Sequence, residues 1–359
     1  MKIGIVTGGG DCPGLNAVIR AVAKAATKRG WETLGIIGSF QGLLPPQNYR
    51  VLDYKALDGL LVRGGTILGT ANRGIFSVKT GHGQIRRLPE TLLAETRRGM
   101  ETLGLDALVA VGGDGTLTIA QQMHEFGIRI VGVPKTIDND LAATAITFGF
   151  DSAVACATDA LDRLHTTAES HNRVMVLEVM GRYAGWIAIY AGVAGGADVI
   201  LIPEIPFRYE SICAAIAERE RIGKHFTLVV VAEGARPLGG DFVTAAPTDT
   251  TQRETRLGGI GAIVAAEIEK RTGKETRVVV LGHLQRGGSP TNMDRVLCTL
   301  FGAKAVELIA QGRFGEMVAH TGTSVESVPL SEAVSRLRTV PTDGVFVGAA
   351  RALGISLGD

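Results

Sequence analysis

The sequence predicts an α/β protein with two doubly wound domains and mostly parallel sheets. Short β-branched runs alternate with amphipathic stretches along most of the 359 residues, a pattern typical of βαβ units. The runs have no polar face, as expected for parallel strands that helices cover on both sides. The length predicts two domains, or one large one, at roughly 100–200 residues each. The 48 glycines are about twice the usual share of ~7% and predict many tight turns after strands.

Individual elements follow from this alternation. The predicted strands are Lys2–Thr7, Thr33–Ile37, Ala107–Val111, Arg129–Val133, Val174–Val179, Val199–Ile202, Leu228–Ala232 and Val278–Leu281. The predicted helices include Leu15–Arg29, Leu117–Phe126, Ser152–Thr166, Ser211–Arg221, Ile260–Thr272 and Asp294–Ala310.

The bulk properties exclude several classes of protein. With 37 basic and 36 acidic residues the net charge is +1, so no overall field attracts nucleic acid or an anionic membrane. The four cysteines form no C-x-x-C pair, which argues against a zinc site or a disulfide framework. We expect the chain to enter a strand at its start, with no signal peptide and no apolar run long enough to span a bilayer. We expect a soluble cytoplasmic protein.

The first glycine-rich segment, GGGDCPGLN, follows the strand Lys2–Thr7. Glycines let the backbone approach an anion, and the start of a helix adds unpaired N–H groups. The spacing matches neither a dinucleotide fingerprint nor a P-loop, so an anion-binding turn and an ordinary tight turn both remain open. Cys12 lies where a helix dipole lowers a thiol pKa, but we expect a packing role rather than a nucleophile.

The second segment, GGDGT, follows the strand Ala107–Val111 and places Asp114 among glycines. Ligands of open α/β sheets bind beyond the carboxyl ends of the strands. An aspartate there, beside backbone amides, suits a Mg²⁺ ion that holds nucleotide phosphates. As a turn residue alone it would be unremarkable.

The third segment, PKTIDND, follows the strand Arg129–Val133 and carries Lys135, Asp138 and Asp140. A carboxylate near a phosphate site can accept the proton of an attacking hydroxyl, which is the base role in phosphoryl transfer. We assign this role to Asp138, and Lys135 supplies a point charge for a phosphate group. For Asp140 a simple turn role is an equally good interpretation.

Seven cationic side chains are candidates for phosphate binding, and four of them, Arg173, Arg182, Arg277 and Arg286, flank apolar strands or lie in glycine turns. Guanidinium groups suit phosphate oxygens, and a nearly neutral protein needs such a local cluster to bind anions. Glu233, just past a buried strand, can accept hydrogen bonds from sugar hydroxyls. The cationic set is Arg63, Arg73, Arg173, Arg182, Arg277, His283 and Arg286.

Taken together, these segments resemble the ATP- and pyrophosphate-dependent 6-phosphofructokinase family. The motifs GGGDCPGLN, GGDGT, PKTIDND, SHNR, MGRYAGW, AEG and LGHLQRGG occur in family order from Lys2 to about Val318. The resemblance implies phosphorylation of the 1-hydroxyl of fructose 6-phosphate, the committed step of glycolysis, with Mg²⁺ as cofactor. It implies a donor domain of residues 1–149 plus about 286–335, and a sugar-phosphate domain of about 150–285 plus 336–359. The active site is expected in the cleft between these domains.

The resemblance also implies roles for individual residues. Asp138 is the base and Asp114 binds Mg²⁺. The donor-binding residues are Gly10, Arg73, Gly113, Asp114, Gly115 and Thr116, with the motif around Arg73 shifted by one position. The sugar-phosphate residues are Thr136, Ile137, Asp138, Met180, Gly181, Arg182, Glu233, His283, Leu284, Gln285 and Arg286. Arg173 and Arg277 match arginines that bind substrate in a neighbouring subunit, which implies a homodimer or homotetramer.

Donor choice in the family is associated with two positions, here Gly115 and Lys135. By this resemblance, ordinary bacterial ATP enzymes have Gly at both positions, and pyrophosphate enzymes have Asp at the first position and Lys at the second. An aspartate at 115 would place charge where the α-phosphate of ATP must lie, whereas Lys135 does not exclude ATP. We therefore predict ATP as the donor, with pyrophosphate as the alternative.

Regulation is expected to differ from that of the bacterial relatives, which bind ADP or phosphoenolpyruvate in a cationic pocket between subunits. The chain keeps Arg20 and Lys24 there, but has Tyr54 and His165 where arginines are expected. We predict altered or absent effector control.

Three other classes fit the sequence less well. A binding protein that has lost its chemistry would be expected to lack Asp114 or Asp138. NAD or diacylglycerol kinases share the GGDGT segment but lack PKTIDND together with LGHLQRGG. A Rossmann dehydrogenase would need a different glycine spacing in the first turn.

Overall fold

A computed structural model describes residues 1–71, 74–78, 85–243 and 257–359. The chain forms two compact units. The first unit comprises residues 1–137, 141–152 and 286–337, and the second comprises residues 138–140, 153–285 and 338–359. The tripeptide Asp138–Asp140 therefore groups with the second unit, although the chain on either side of it groups with the first.

Strands and helices alternate through the described residues. The strands are β1 (Lys2–Thr7), β2 (Glu32–Ile36), β3 (Tyr49–Val51), β4 (Ala107–Gly112), β5 (Ile130–Pro134), β6 (Val174–Val179), β7 (Val199–Leu201), β8 (Thr227–Ala232), β9 (Thr276–Val280), β10 (Glu316–His320) and β11 (Val325–Pro329). The α-helices are α1 (Leu15–Lys28), α2 (Glu90–Leu103), α3 (Asp114–Glu125), α4 (Phe150–His171), α5 (Trp186–Ala194), α6 (Tyr209–Arg221), α7 (Ile260–Thr272), α8 (Asn292–Ala310), α9 (Leu330–Ala333) and α10 (Val345–Ala352).

The first unit is built on a mixed sheet with the strand order β11-β10-β5-β4-β1-β2-β3. Its five central strands pair in parallel, and only the edge pairs β2–β3 and β10–β11 are antiparallel. Strand β4 is buried along its whole length because helices cover both faces of the sheet. The core around it includes Val6, Ile36, Leu108, Ile130 and Met317.

The second unit is built on a parallel sheet with the strand order β7-β8-β6-β9. Strands β6 and β8 are fully buried, and Val176, Val229, Val231 and Phe207 lie in the core beside them. The edge strand β9 differs, because it is exposed from its second residue onward. The expectation that every strand is covered on both faces is therefore wrong for β9, whose apolar run gave no sign of its edge position.

The predicted strands agree with the observed ones to within two residues. Helix α3 begins three residues earlier than predicted, at Asp114, and α4 ends five residues later, at His171. In the part of the chain that the structure describes, no helix is both long and apolar enough to cross a membrane.

Candidate functional site

The first two predicted motifs, and residues 134–137 of the third, lie side by side in the first unit. They follow β1, β4 and β5, which are neighbours in the parallel part of the sheet. The backbone N–H of Gly8 donates to the carbonyl of Val111 at 2.9 Å, and the N–H of Lys135 donates to the carbonyl of Gly112 at 2.9 Å. Parallel strands thus bring the three loops to one edge of the sheet, where ligands of such folds bind.

Asp114 opens helix α3 directly after the extended residue Gly113. The hydroxyl of Thr118 donates to the carbonyl of Asp114 at 2.8 Å and lies 3.4 Å from its Oδ1. A Cβ built on Gly115, the next residue, has no heavy atom within 4 Å. The start of α3 therefore presents a carboxylate, backbone N–H groups and open space around Gly115. Thr116 is buried beside them.

The donor set at Asp114 fits Mg²⁺. Among residues 1–71, 74–78, 85–243 and 257–359 there is no group of three or more His, Cys, Asp or Glu side chains that could hold a metal ion. A site built wholly from protein side chains would need such a group. Mg²⁺ typically takes one or two carboxylates and completes its octahedron with phosphate oxygens and water, which a carboxylate at the start of a helix allows.

Two cationic side chains meet the first glycine loop at Gly10. Lys135 is only 4% exposed, and its Nζ donates to the carbonyl of Gly10. A Cβ built on Gly10 would overlap the guanidinium of Arg286, so a side chain at this position would displace that guanidinium. The buried Nε of Arg286 makes no hydrogen bond within the described residues. Arg286, predicted as a sugar-phosphate residue, therefore packs against the predicted donor loop.

Cys12, in the same loop, is completely buried. Burial raises the pKa of its thiol to about 12, so the group is protonated near neutral pH. A protonated, buried thiol is not a nucleophile. The packing role expected from the sequence agrees with this environment.

In the second unit, five predicted sugar residues come together at the carboxyl ends of β6 and β8. The N–H of Glu233 donates to Val179 at 2.9 Å, and that of Met180 donates to Oε1 of Gln285 at 2.7 Å. The N–H of Gly234 donates to the carbonyl of Gly181 at 3.1 Å. These bonds assemble Met180, Gly181, Arg182, Glu233 and Gln285.

Gln285 has an unused donor in this group. The side chain is fully buried, and its Nε2 finds no hydrogen-bond partner in the described residues. A buried amide without a partner is costly in a protein interior, which points to a ligand atom as its missing acceptor. The neighbouring Leu284 is 68% exposed, and His283 is also exposed.

The structure does not bring Arg173 and Arg277 to this group. Arg173 precedes β6 and Arg277 lies near the start of β9, in register with Met175. Both arginines form ion pairs with Glu275, that of Arg173 at 2.7 Å. At about 3.3 Å per residue, strand β6 separates Arg173 from Met180 by roughly 20 Å. In a single chain the two arginines therefore lie at the opposite end of the sheet.

Four predicted site residues remain: three in the third motif, and Arg73. Thr136 and Ile137 belong to the first unit and Asp138 to the second. The carbonyl of Thr136 accepts a hydrogen bond from Thr147 Oγ1 at 2.7 Å. Arg73 lies outside the described residues, and its predicted role stays a prediction.

The sequence interpretation missed Asp294, a buried carboxylate at the start of α8. It accepts hydrogen bonds from the N–H of Gly149 at 3.0 Å and from the N–H and hydroxyl of Ser152 at 2.9 and 2.6 Å. It thus satisfies buried N–H groups at the beginning of α4 that have no partner within the helix. The signal was present, because Thr291-x-x-Asp294 has the capping pattern of a helix start, and the Thr291 hydroxyl accepts from the N–H of Asp294.

Relatives of known name match the chain over nearly its full length. The ATP-dependent 6-phosphofructokinase of Chloroflexus aurantiacus is 54% identical over 100% of this chain and 98% of its own. The ATP-dependent 6-phosphofructokinase 1 of Synechocystis sp. is 51% identical over the same shares. A pyrophosphate–fructose 6-phosphate 1-phosphotransferase of Amycolatopsis methanolica is 51% identical over 96% of this chain and 97% of its own.

Solved structures agree in fold. The T-state phosphofructokinase of Pichia pastoris superposes with a TM-score of 0.81 at 31% identity over 93% of this chain, which spans only 35% of that longer one. The pyrophosphate-dependent phosphofructokinase of Nitrosospira multiformis gives a TM-score of 0.81 at 21% identity over 100% of this chain and 92% of its own. The predicted α/β fold is confirmed. Residues 2–309 also match the family described as Phosphofructokinase, and the chain belongs to that family.

Proposed function

We propose that this protein transfers the γ-phosphoryl group of ATP to the 1-hydroxyl of fructose 6-phosphate, the committed step of glycolysis. The observation that carries the proposal is 54% identity, over the whole chain, to an enzyme named ATP-dependent 6-phosphofructokinase. Both carboxylates that the chemistry needs, Asp114 and Asp138, are present.

Asp138 is the general base in this proposal. Its carboxylate takes the proton of the 1-hydroxyl as that oxygen attacks the γ-phosphorus. A bond forms between O1 and phosphorus, the bond to the bridging β–γ oxygen breaks, and ADP leaves with that electron pair. A positioned base of this kind is worth about 10²–10⁴ in rate.

The start of α3 and the first glycine loop hold the donor. The backbone amides around Gly10, Gly113, Gly115 and Thr116 donate to phosphate oxygens. Asp114 binds Mg²⁺, which neutralises charge on the transferring phosphoryl group when bound. Arg73 is proposed as a further phosphate contact.

The sugar phosphate is held by the residues for which the family resemblance implies this role. Met180, Gly181, Arg182 and Glu233 orient the sugar, with Thr136 and Ile137 near the reacting hydroxyl. His283, Leu284, Gln285 and Arg286 bind toward the 6-phosphate. The unmet donors on Gln285 and Arg286 support these roles, because an anionic oxygen is the acceptor that such groups lack.

We also propose a homo-oligomer, a dimer or a tetramer, in which Arg173 and Arg277 bind substrate in the neighbouring subunit. Both arginines lie at the wrong end of their own sheet for the sugar residues of the same chain. The apolar edge strand beside them is exposed in the single chain, with Val278 at 38%, Val279 at 36% and Val280 at 54%. A second copy of the chain would cover this strand.

Pyrophosphate remains the alternative donor because of Lys135 and of relatives named for pyrophosphate. The open space at Gly115 favours ATP, since nothing in the described residues fills the volume that a side chain would occupy there. Lys135 contacts the loop carbonyl of Gly10, where a lysine is compatible with either donor.

Initial rates with fructose 6-phosphate and either ATP or pyrophosphate test the proposal directly. We expect the wild-type enzyme to turn over with ATP, and Lys135→Gly to keep this turnover. In Asp138→Asn, kcat should fall about 10²- to 10⁴-fold. Asp140→Asn is the matched control from the same turn and should stay within a few-fold of wild type. Turnover with pyrophosphate alone would refute the donor assignment, and no turnover with either donor would refute the function.

A further inference from the structure

The C-terminal segment of the second unit contacts the turn that contains Asp138. The backbone N–H of Arg338 donates to the carbonyl of Asp140 at 2.8 Å, and Nη1 of Arg338 donates to the carbonyl of Asn139 at 3.3 Å. Asn139 is 1% exposed and has a φ of 51°, a left-handed conformation that its surroundings must maintain. One residue, 199 positions away from Asn139, thus binds two consecutive carbonyls of the turn.

Arg338 is itself held by an aromatic side chain. Its guanidinium carbon lies 4.3 Å from the ring centroid of Trp186, and the indole Nε1–H of Trp186 donates to the carbonyl of Arg338 at 3.0 Å. Trp186 is 3% exposed and packs edge-on against Phe346, with ring centroids 6.2 Å apart. The indole therefore fixes both the backbone and the side chain of Arg338.

Glu204 ties the same two segments together from another side. Its Oε1 accepts hydrogen bonds from the N–H of Gly185 at 3.0 Å and from the N–H of Val340 at 2.8 Å. These residues flank Trp186 and Arg338 along the chain. The charged guanidinium of Arg338 lies over the indole face and donates to the carbonyl of Asn139.

We infer that Arg338 is a positioning residue for phosphoryl transfer: stacked on Trp186, it holds the turn Asp138–Asp140 and thereby the base. Trp186 directly follows residues 180–185, which contain three of the proposed sugar residues, Met180, Gly181 and Arg182. The same indole therefore links the base to the residues that orient its substrate. This inference rests on the proposed base role of Asp138.

The geometry predicts a specific kinetic signature. A general base must lie within hydrogen-bond reach of its proton, and a displacement of about 1 Å can cost on the order of 10²-fold in rate. Arg338→Met keeps a long apolar side chain but removes the donor to Asn139 and the cation over Trp186. We expect kcat to fall about 10- to 100-fold, while KM for ATP and for fructose 6-phosphate changes less than about threefold.

A double-mutant cycle separates positioning from a general loss of stability. If Arg338 acts through the base, Arg338→Met should cost little further in a chain that already carries Asp138→Asn. Losses that multiply in the double variant would overturn the inference. So would a kcat of Arg338→Met within twofold of wild type. Arg338→Lys keeps the cation and one donor, so its kcat should lie between those of wild type and Arg338→Met. It takes the place of Arg338→Met if that variant does not fold.

Arg271→Met provides the matched control in the same unit. Arg271 lies over the ring of Tyr209 at 5.0 Å and pairs with Glu210, far along the chain from the turn. We expect a lower Tm with kcat unchanged. An equal loss of kcat in Arg271→Met at the same loss of Tm would show that the effect is only structural. The inference and the proposed function can fail separately. If the wild-type enzyme turns over and Asp138→Asn loses kcat as expected, but Arg338→Met does not, only the inference is overturned and the proposed function stands.

Discussion

Replacing Gly115 by aspartate tests the donor assignment most sharply. Gly115 lies in the first turn of α3, and a Cβ built there meets no heavy atom within 4 Å, so the fold accepts the side chain without strain. An acidic residue in the first turn of a helix is worth about 0.3–1 kcal/mol, and aspartate is a slightly better helix former than glycine. We therefore expect the free energy of unfolding to stay constant or to rise by about 1 kcal/mol.

The effect on ATP should be large and negative. A new carboxylate about 4 Å from a phosphate oxygen costs roughly 4 kcal/mol at an effective dielectric constant of about 20. At about 1.4 kcal/mol per tenfold, kcat/KM for ATP should fall about 10³-fold. Initial rates at varied ATP give this number, and thermal unfolding of the same samples checks the fold.

Gly115→Asn separates charge from size, because asparagine has the shape of aspartate without its charge. We expect kcat/KM for ATP to fall about tenfold or less in Gly115→Asn. If Gly115→Asp keeps kcat/KM for ATP within threefold of wild type, the space beside Gly115 does not receive the α-phosphate. If Gly115→Asn loses as much as Gly115→Asp, the electrostatic reasoning is wrong and only bulk matters.

Three further predictions concern a titrating group, a thiol and regulation. Burial raises the pKa of Asp294 from 3.8 to about 6. Its contribution to stability is therefore fully present below the unfolded-state pKa and is lost as pH rises through the folded-state pKa. Asp294→Asn should flatten the dependence of Tm on pH between those two pKa values, and an unchanged dependence would contradict this. Alkylation of the native protein near neutral pH, mapped by mass spectrometry, should modify the partly exposed Cys156 before the buried Cys12; early labelling of Cys12 would contradict its high pKa. Because Tyr54 and His165 stand where arginines are expected, ADP titration should give little or no activation, and ordinary ADP activation would argue against this.

The sequence was sufficient for those elements whose pattern is local. The strands β1, β4 and β6 are short, β-branched and bounded by glycine turns, and each of these signals acts within a few residues. Helix α5 carried no such signal, because it is apolar on nearly all sides and mostly buried and so lacks the amphipathic period. The exposed edge position of β9 was also unpredictable, since its valines have the same pattern as those of a central strand.

The candidate site divides in the same way. The loops at Gly10, Asp114 and Asp138 were predicted because glycines and carboxylates after strands form a local motif with a physical meaning. The contact of Arg338 with the turn was not predicted, because it joins residues 199 positions apart and no motif in the sequence marks Arg338. Donor and sugar roles for the predicted residues stay predictions until the variants are measured.

The grouping of Asp138–Asp140 with the second unit has an evolutionary consequence. The positions associated with donor choice, Gly115 and Lys135, belong to the first unit, whereas the proposed base belongs to the second. Substitutions at these two positions of the first unit can therefore change the phosphoryl donor while the proposed base in the second unit stays the same. One relative named for ATP and one named for pyrophosphate each stand at 51% identity to this chain, so overall identity does not separate the two donors and a few positions in one unit are enough to account for the difference.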